Sequence, residues 1–322
     1  MKNLKEVASD MNVPYFDVRI NATGATDYPQ APQASAPSIG SSAMLVELQV
    51  SQWTGRKKDK RASATVTDQN YADKGTAAVS KKLLGHCQEL DAIHKFTANA
   101  RNIHYSMTMP WSDTGMRLLP TAQYFDYHQQ MTDLQDEFTR MTGTFITNYD
   151  WEISRAQARL GDLFVRNDYP TPDAISNKFG FRISYIPLPD VGDFRVDVGN
   201  EQKQVLEDHY NEYYQRQLVS AMDDVWQRTH KALTNMSDRL DYSGDDKKKV
   251  FRDTLVDNVL DMVDMLSVCN VTGDSQMEQM RLKLEEALRG VTPDGLRTNE
   301  TLRVETKRVV DDALKLLPSL EM

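Results

Sequence analysis

Apolar residues spaced alternately four and three positions apart constrain this chain more than any other feature of its sequence. The run lies between Tyr127 and Phe145, and Pro120 precedes it at a position that suits the first turn of a helix. This spacing places the apolar side chains on one helical face, as in a coiled-coil seam. It predicts a helix from Thr121 to about Phe164, about 60 Å long at 1.5 Å per residue. The candidate assembly seam on this helix consists of Met131, Leu134, Phe138, Met141 and Phe145.

A second long helix is predicted from Glu201 to about Leu240, with Tyr210, Tyr214 and Leu218 on its apolar stripe. Between the two helices, alternating residues at 181–186 and 194–198 flank a turn rich in proline and predict a β-hairpin. Because a hairpin reverses the chain, the two helices should pack antiparallel as a coiled-coil-like arm. Tyr210, Tyr214 and Leu218 therefore complete the candidate assembly seam.

A first hairpin is predicted from Met44–Trp53 and Ala62–Thr67, around a basic loop at 54–61. The two hairpins are expected to share one small antiparallel sheet. Helices are predicted at 77–84 and 90–107. The fold class that follows is α+β and mostly α.

Segments rich in glycine, proline and small residues interrupt the predicted helices and strands and divide the chain into four parts. The parts are a short N-terminal segment at 1–20, a flexible linker at 21–43, an α+β body at 44–242 and a C-terminal helical unit at 243–322. The linker is assigned because its small residues and prolines bury too little surface to offset the entropy of ordering. Helices at 247–268, 275–288 and 298–317 form the C-terminal unit.

The composition excludes several classes of protein. No apolar run approaches the roughly 18 residues of a membrane span, and the first twenty residues lack the apolar core of a secretory signal. Two cysteines suit a reducing cytoplasm. A net charge of −9 opposes a surface-wide affinity for nucleic acid or anionic membrane. We therefore expect a cytoplasmic protein that does not bind membranes.

Motifs that carry known chemistry are missing from the sequence. It contains no phosphate-binding glycine loop, no nucleophile elbow and no histidine or cysteine grouping with metal-ligand spacing. These observations favour a non-enzymatic protein without cofactor or metal. An enzyme whose site is built from dispersed residues stays open. Its charged residues near chain reversals would be Asp162, Asp168, Asp190, Asp193 and Arg195.

The basic loop is the strongest local feature. Arg56, Lys57, Lys58, Lys60 and Arg61 surround a single aspartate, and Trp53 lies beside them as a residue able to stack on a ligand. Such a local concentration of positive charge on an acidic chain is typical of a loop that binds phosphate or carboxylate groups. Basic residues in a hairpin turn also protect sheet edges from pairing, and this alternative is equally supported.

Several stretches together are similar to one known group of proteins. They are Ser51–Lys60, Arg117–Pro120, Leu160–Phe164, Asp168–Pro170 and Pro187–Val196. Over about 44–240 the chain resembles an uncharacterised family of tailed bacteriophages and integrative mobile elements, a domain of unknown function. The resemblance implies a gene that lies near a MoxR/CobS-like AAA+ ATPase and a von Willebrand factor A (VWA) protein. It implies no catalytic residues.

Three functions are expected from these observations. The first is a non-enzymatic cytoplasmic phage or mobile-element protein that assembles with itself or acts as a partner of a AAA+ ATPase or VWA protein. The alternative is a single-strand binding or annealing protein that uses residues 54–61 together with Tyr210, Tyr213 and Tyr214. A virion structural protein is the third, because a long helical arm would permit it.

Overall fold

The computed structural model describes residues 39–188, 200–242 and 252–318 of the 322-residue chain. Several predicted features fall outside these residues: the segment 1–20, most of the linker 21–43, the strand at 194–198 and the start of the helix at 247–268. Contacts group the chain from Ile39 onward into a single unit.

Helices dominate the described residues, so the predicted α+β, mostly α fold is confirmed. The helices are α1 Ile39–Ser42, α2 Lys60–Gln69, α3 Gln88–Ser106, α4 Tyr124–Leu160, α5 Pro172–Ser176, α6 Asn200–Leu240, α7 Thr254–Cys269, α8 Ser275–Leu288, α9 Pro293–Thr298 and α10 Glu300–Lys315. The strands are β1 Ala43–Ser51, β2 Arg56–Asp59, β3 Val79–Lys82, β4 Met109–Pro110, β5 Arg117–Pro120 and β6 Gly180–Pro187. None of the described helices combines the length and the apolar character that crossing a bilayer requires.

A four-stranded antiparallel sheet has β1 at its centre, in the order β4-β5-β1-β6. Met44 pairs with Leu119 of β5 on one side of β1, and Leu48 pairs with Ile183 of β6 on the other. The strand predicted at 181–186 is therefore present, but its partner among the described residues is β1. β2 and β3 form a separate two-stranded sheet.

The predicted first hairpin is wrong, because residues 62–67 belong to helix α2 and not to a strand. Asp59 caps this helix: its Oδ1 accepts a hydrogen bond from the Ala62 amide at 3.0 Å. Thr67 then donates its hydroxyl to the Ala64 carbonyl at 2.8 Å. Such local bonds to the backbone let hydroxyl residues occupy a helix despite their preference for strands.

The helix predicted at 77–84 is also wrong, since residues 79–82 form β3. Lys82 of β3 pairs with Arg56, and Val79 pairs with Asp59. Pairing with β2 supplies these four residues with backbone hydrogen bonds across the ribbon, which outweighs any local helical preference.

Both long helices are present where they are predicted, but their predicted antiparallel pairing is wrong. The seam of α4 packs on α3, α5 and β6, and Phe138 and Phe145 share a core with Trp53 and Phe181. The stripe of α6 packs instead on α7, α10 and β4. Met131 of the α4 seam packs in a third cluster with Val46 and Leu119. Each apolar face is covered by other elements, so three hydrophobic clusters replace a single coiled-coil arm.

A buried histidine joins α3 to α4. His104 is 2% exposed, and its Nδ1 lies 2.8 Å from the Tyr127 hydroxyl. Burial, with a smaller contribution from the charge of Arg117, lowers the pKa of His104 to about 4. The imidazole is therefore neutral at neutral pH.

We expect this histidine to make stability depend on pH. An unfolded imidazole titrates near 6.5, so the folded state binds the proton less well and loses stability as pH falls from about 6.5 towards 4. Urea unfolding of the wild type and of His104→Leu at pH 7 and pH 5 measures this effect. The destabilisation by the substitution should be smaller at pH 5, and an equal difference at both values would contradict the assignment.

Candidate anion-binding site

The predicted basic loop is a strand followed by the start of a helix. Arg56, Lys57 and Lys58 are exposed on β2, while Lys60 and Arg61 are exposed on the first turn of α2. The register with β3 places Lys57 opposite Lys81 and Arg56 opposite Lys82. We call β2, β3 and residues 60–61 the basic ribbon. All five predicted cations lie on it, together with Lys81 and Lys82 of β3, which are distant from the basic loop in the sequence.

One pair of opposed lysines is neutralised by an aspartate from the turn after α4. Asp168 accepts from Lys57 Nζ and from Lys81 Nζ, each at 2.7 Å. Lys81 also lies 3.5 Å from Asp59 and donates to the Leu163 carbonyl at 2.7 Å. The hydrogen bond to Asp168 raises the pKa of Lys81. Burial raises the pKa of Asp168, but the hydrogen bonds from the two lysines outweigh it and lower that pKa overall.

The other cations of the ribbon are not neutralised in this way. Within the part of the chain that the structure describes, Arg56, Lys58, Lys60, Arg61 and Lys82 form no ion pair. Like charges directly opposite each other on paired strands are destabilising. The exposed side chains of Arg56 and Lys82 therefore repel each other and lower the stability of the folded chain. Because a bound anion would remove this repulsion, the ribbon is a candidate anion-binding surface.

A cavity of about 790 Å³ opens beside the ribbon. Lys58, Lys60 and Arg61 line it, and Asp162 and Asp168 from the turn after α4 face them. The structure thus brings together two residues of the predicted dispersed site. Asp190, Asp193 and Arg195 lie outside the described residues.

Trp53 does not lie on the surface beside these cations. Its ring is 8% exposed and stands edge-on to Tyr149, with ring centroids 5.9 Å apart. Its carbonyl accepts a hydrogen bond from His94 Nε2 at 2.9 Å. Trp53 therefore packs in the core beneath the ribbon and is not placed to stack on a ligand.

The candidate assembly seam lies inside the chain. Met131, Phe138, Phe145, Tyr214 and Leu218 are buried, and Leu134, Met141 and Tyr210 pack against the same cores. Of the tyrosines considered for base stacking, Tyr213 is 38% exposed, whereas Tyr214 is 1% exposed. The side chains of the seam therefore pack against other elements of the same chain. No group of three or more His, Cys, Asp or Glu side chains within the described ranges is placed to hold a metal ion.

The fold and the ribbon together define a mostly helical α+β protein with a candidate anion-binding surface. Residues 41–304 match the family model described as "Protein of unknown function (DUF3150)", so the chain belongs to this family. An uncharacterised family was predicted over about 44–240, and the match extends it into the C-terminal helices. No curated protein and no solved structure matches the chain.

Proposed function

We propose that this chain is a non-enzymatic phage or mobile-element protein that docks an acidic protein partner through its basic ribbon. The observation that carries the proposal is the set of exposed ribbon cations without ion pairs among the described residues. Residues 56–82 contain eight lysines and arginines against three aspartates, whereas the whole chain has a net charge of −9. Such local complementarity steers association and selects partners of opposite charge.

Two kinds of protein partner fit this proposal. One is the AAA+ ATPase or VWA protein implied by the resemblance, in the host cytoplasm. The other is a second copy of the chain, because α7 exposes Asp257, Asp261 and Asp264, which form no ion pair among the described residues. Self-assembly would then run through opposite charges and not through the helical seams.

A charge-matched pair of variants tests the ribbon. The ribbon variant carries Arg56→Gln, Lys58→Gln, Lys60→Gln and Arg61→Gln, and it keeps Lys57 because that lysine holds Asp168. The control variant removes the same charge from exposed cations elsewhere: Arg216→Gln, Lys231→Gln, Lys283→Gln and Arg308→Gln. Both should melt close to the wild type, because exposed charges contribute little to stability.

Capture of a purified candidate partner, and sedimentation of the chain alone, are the measurements. The ribbon variant should lose the partner or the self-association, and the control variant should keep it. If both variants lose it equally, the effect is one of net charge and the proposal fails. If neither loses it, the ribbon is not the docking surface.

Nucleic acid is the second candidate partner, favoured by the number of ribbon cations left without ion pairs. Four phosphate contacts to a single strand predict a log–log salt slope of about −2.8, since each contact contributes about −0.7. The ribbon variant should flatten this slope and the control variant should not. Binding that is undetectable at about 50 mM salt would remove this candidate, because low salt favours phosphate contacts most.

A further inference from the structure

A small cavity lies beside the ribbon, separate from the larger one. Arg56 and Lys82 line it from the two strands, and His86, Asp91 and His94 line it from the turn before α3 and the start of that helix. We call it the Arg56–Lys82 cavity. Its volume is about 130 Å³. It is much smaller than the roughly 300–1,000 Å³ pockets of drug-sized ligands, so its size suits a small anion.

Two cations converge on this cavity from directly opposed positions. The register pairs Arg56 with Lys82, and neither side chain forms an ion pair among the described residues. The equivalent pair one position along, Lys57 and Lys81, is bridged by Asp168. An anion between Arg56 and Lys82 would remove their repulsion in the same way, and guanidinium and ammonium groups are the side chains that bind phosphate oxygens.

Gly55 and His94 help to fix the walls of the cavity. Gly55 has a φ of +63°, a conformation that favours glycine, and a Cβ there would lie 2.8 Å from Leu90 Cδ2, so any other residue would strain the backbone and displace the Leu90 side chain. His94 donates its Nε2 proton to the Trp53 carbonyl at 2.9 Å, which fixes the orientation of its ring in the cavity wall.

We infer that the Arg56–Lys82 cavity binds a single phosphate group, either as inorganic phosphate or as the terminal monoester of a larger ligand. Arg56 and Lys82 neutralise its charge from two sides. Asp91, which also lines the cavity, accepts a hydrogen bond from the protonated oxygen of a phosphate monoanion. This site goes beyond the proposed docking of a partner protein, because it recognises one small anion. Arg56 belongs to both proposals, so this site is tested at Lys82, which the ribbon variant leaves unchanged.

Isothermal titration of the full chain with inorganic phosphate, against chloride at equal ionic strength, tests the site. Lys82→Gln should weaken phosphate binding by about tenfold or more, since it removes a charge-assisted hydrogen bond. Lys58→Gln is the matched control, because Lys58 is exposed on the same ribbon but does not line this cavity. It should change the affinity by less than about twofold.

Thermal melting separates loss of binding from loss of folding. Without phosphate, Lys82→Gln should melt at or slightly above the wild type, because it removes the repulsion across the ribbon. Asp91→Asn should strengthen binding of the phosphate dianion, since it removes a like charge from the wall of the cavity. Two results would overturn the inference: a wild-type chain that binds phosphate no better than chloride, or a Lys58→Gln variant that loses as much affinity as Lys82→Gln.

The source of the phosphate is distinguished by a second titration. An oligonucleotide with a 5′-phosphate is compared with the same sequence ending in a 5′-hydroxyl. A preference for the phosphorylated end that Lys82→Gln abolishes assigns the site to a terminal monoester. Binding of inorganic phosphate with no preference between the two oligonucleotides assigns it to a small free anion. Lys82→Gln separates the two proposals, because it changes the phosphate site and keeps all four cations that the ribbon variant removes. Either proposal can therefore fail while the other stands.

Discussion

Replacing Phe138 by aspartate should lower the free energy of unfolding by about 3–5 kcal/mol. Phe138 is 2% exposed on α4, and its ring lies 5.7 Å from that of Phe181 and 6.4 Å from that of Phe179, measured between centroids. The substitution removes an aromatic side chain from a close-packed core and leaves a carboxylate there without a partner. Urea denaturation followed by circular dichroism measures the change.

The same helix offers a matched control for this substitution. Phe125 is 79% exposed near the start of α4, so Phe125→Asp introduces the same charge at the surface. We expect it to change the free energy of unfolding by no more than about 0.5 kcal/mol. Equal effects at the two positions would show that the inward face of α4 is assigned incorrectly.

Replacing Asp168 by asparagine should lower the free energy of unfolding by about 2 kcal/mol. The Lys81 side chain is only 8% exposed, so removing its partner leaves a nearly buried ammonium group. Asp59 at 3.5 Å and the Leu163 carbonyl still contact this lysine, which keeps the cost below that of a fully orphaned charge. Asp162→Asn is the control, because Asp162 lines the same cavity but is exposed.

The effect of Asp168→Asn should depend on pH with a defined sign. The folded pKa of Asp168 is lowered, so its stabilisation is present above the unfolded value of about 3.9 and is lost as pH falls through the folded pKa. The wild type and the variant should therefore differ by a constant amount between about pH 5 and pH 8, and converge below about pH 4. A difference that grows in acid would contradict the ion pairs of Asp168.

Individual residues show how far the candidate site was predictable. Arg56, Lys58, Lys60 and Arg61 stand together in the sequence, so their concentration of charge is visible without a structure. Lys82 was missed because it lies in a segment interpreted as helical, and only pairing with β2 places it opposite Arg56. The role of Asp168 was equally hidden, since its contacts with Lys81 and Lys57 lie 87 and 111 residues away along the chain and leave no local pattern.

The sequence by itself determined the class of fold and both long helices. Spacings of three and four residues are imposed by contacts within one or two helical turns, so α4 and α6 are encoded locally. Only the tertiary structure decided what covers these helices, which strands flank β1, and that residues 56–59 and 79–82 form one ribbon. An apolar stripe shows that one face of a helix is buried, but not which element covers that face. A strand pairs through its backbone N–H and C=O groups, which every residue except proline has, so the sequence does not identify the partner strand. Those partners come from distant parts of the chain, and their selection depends on packing the whole core at once.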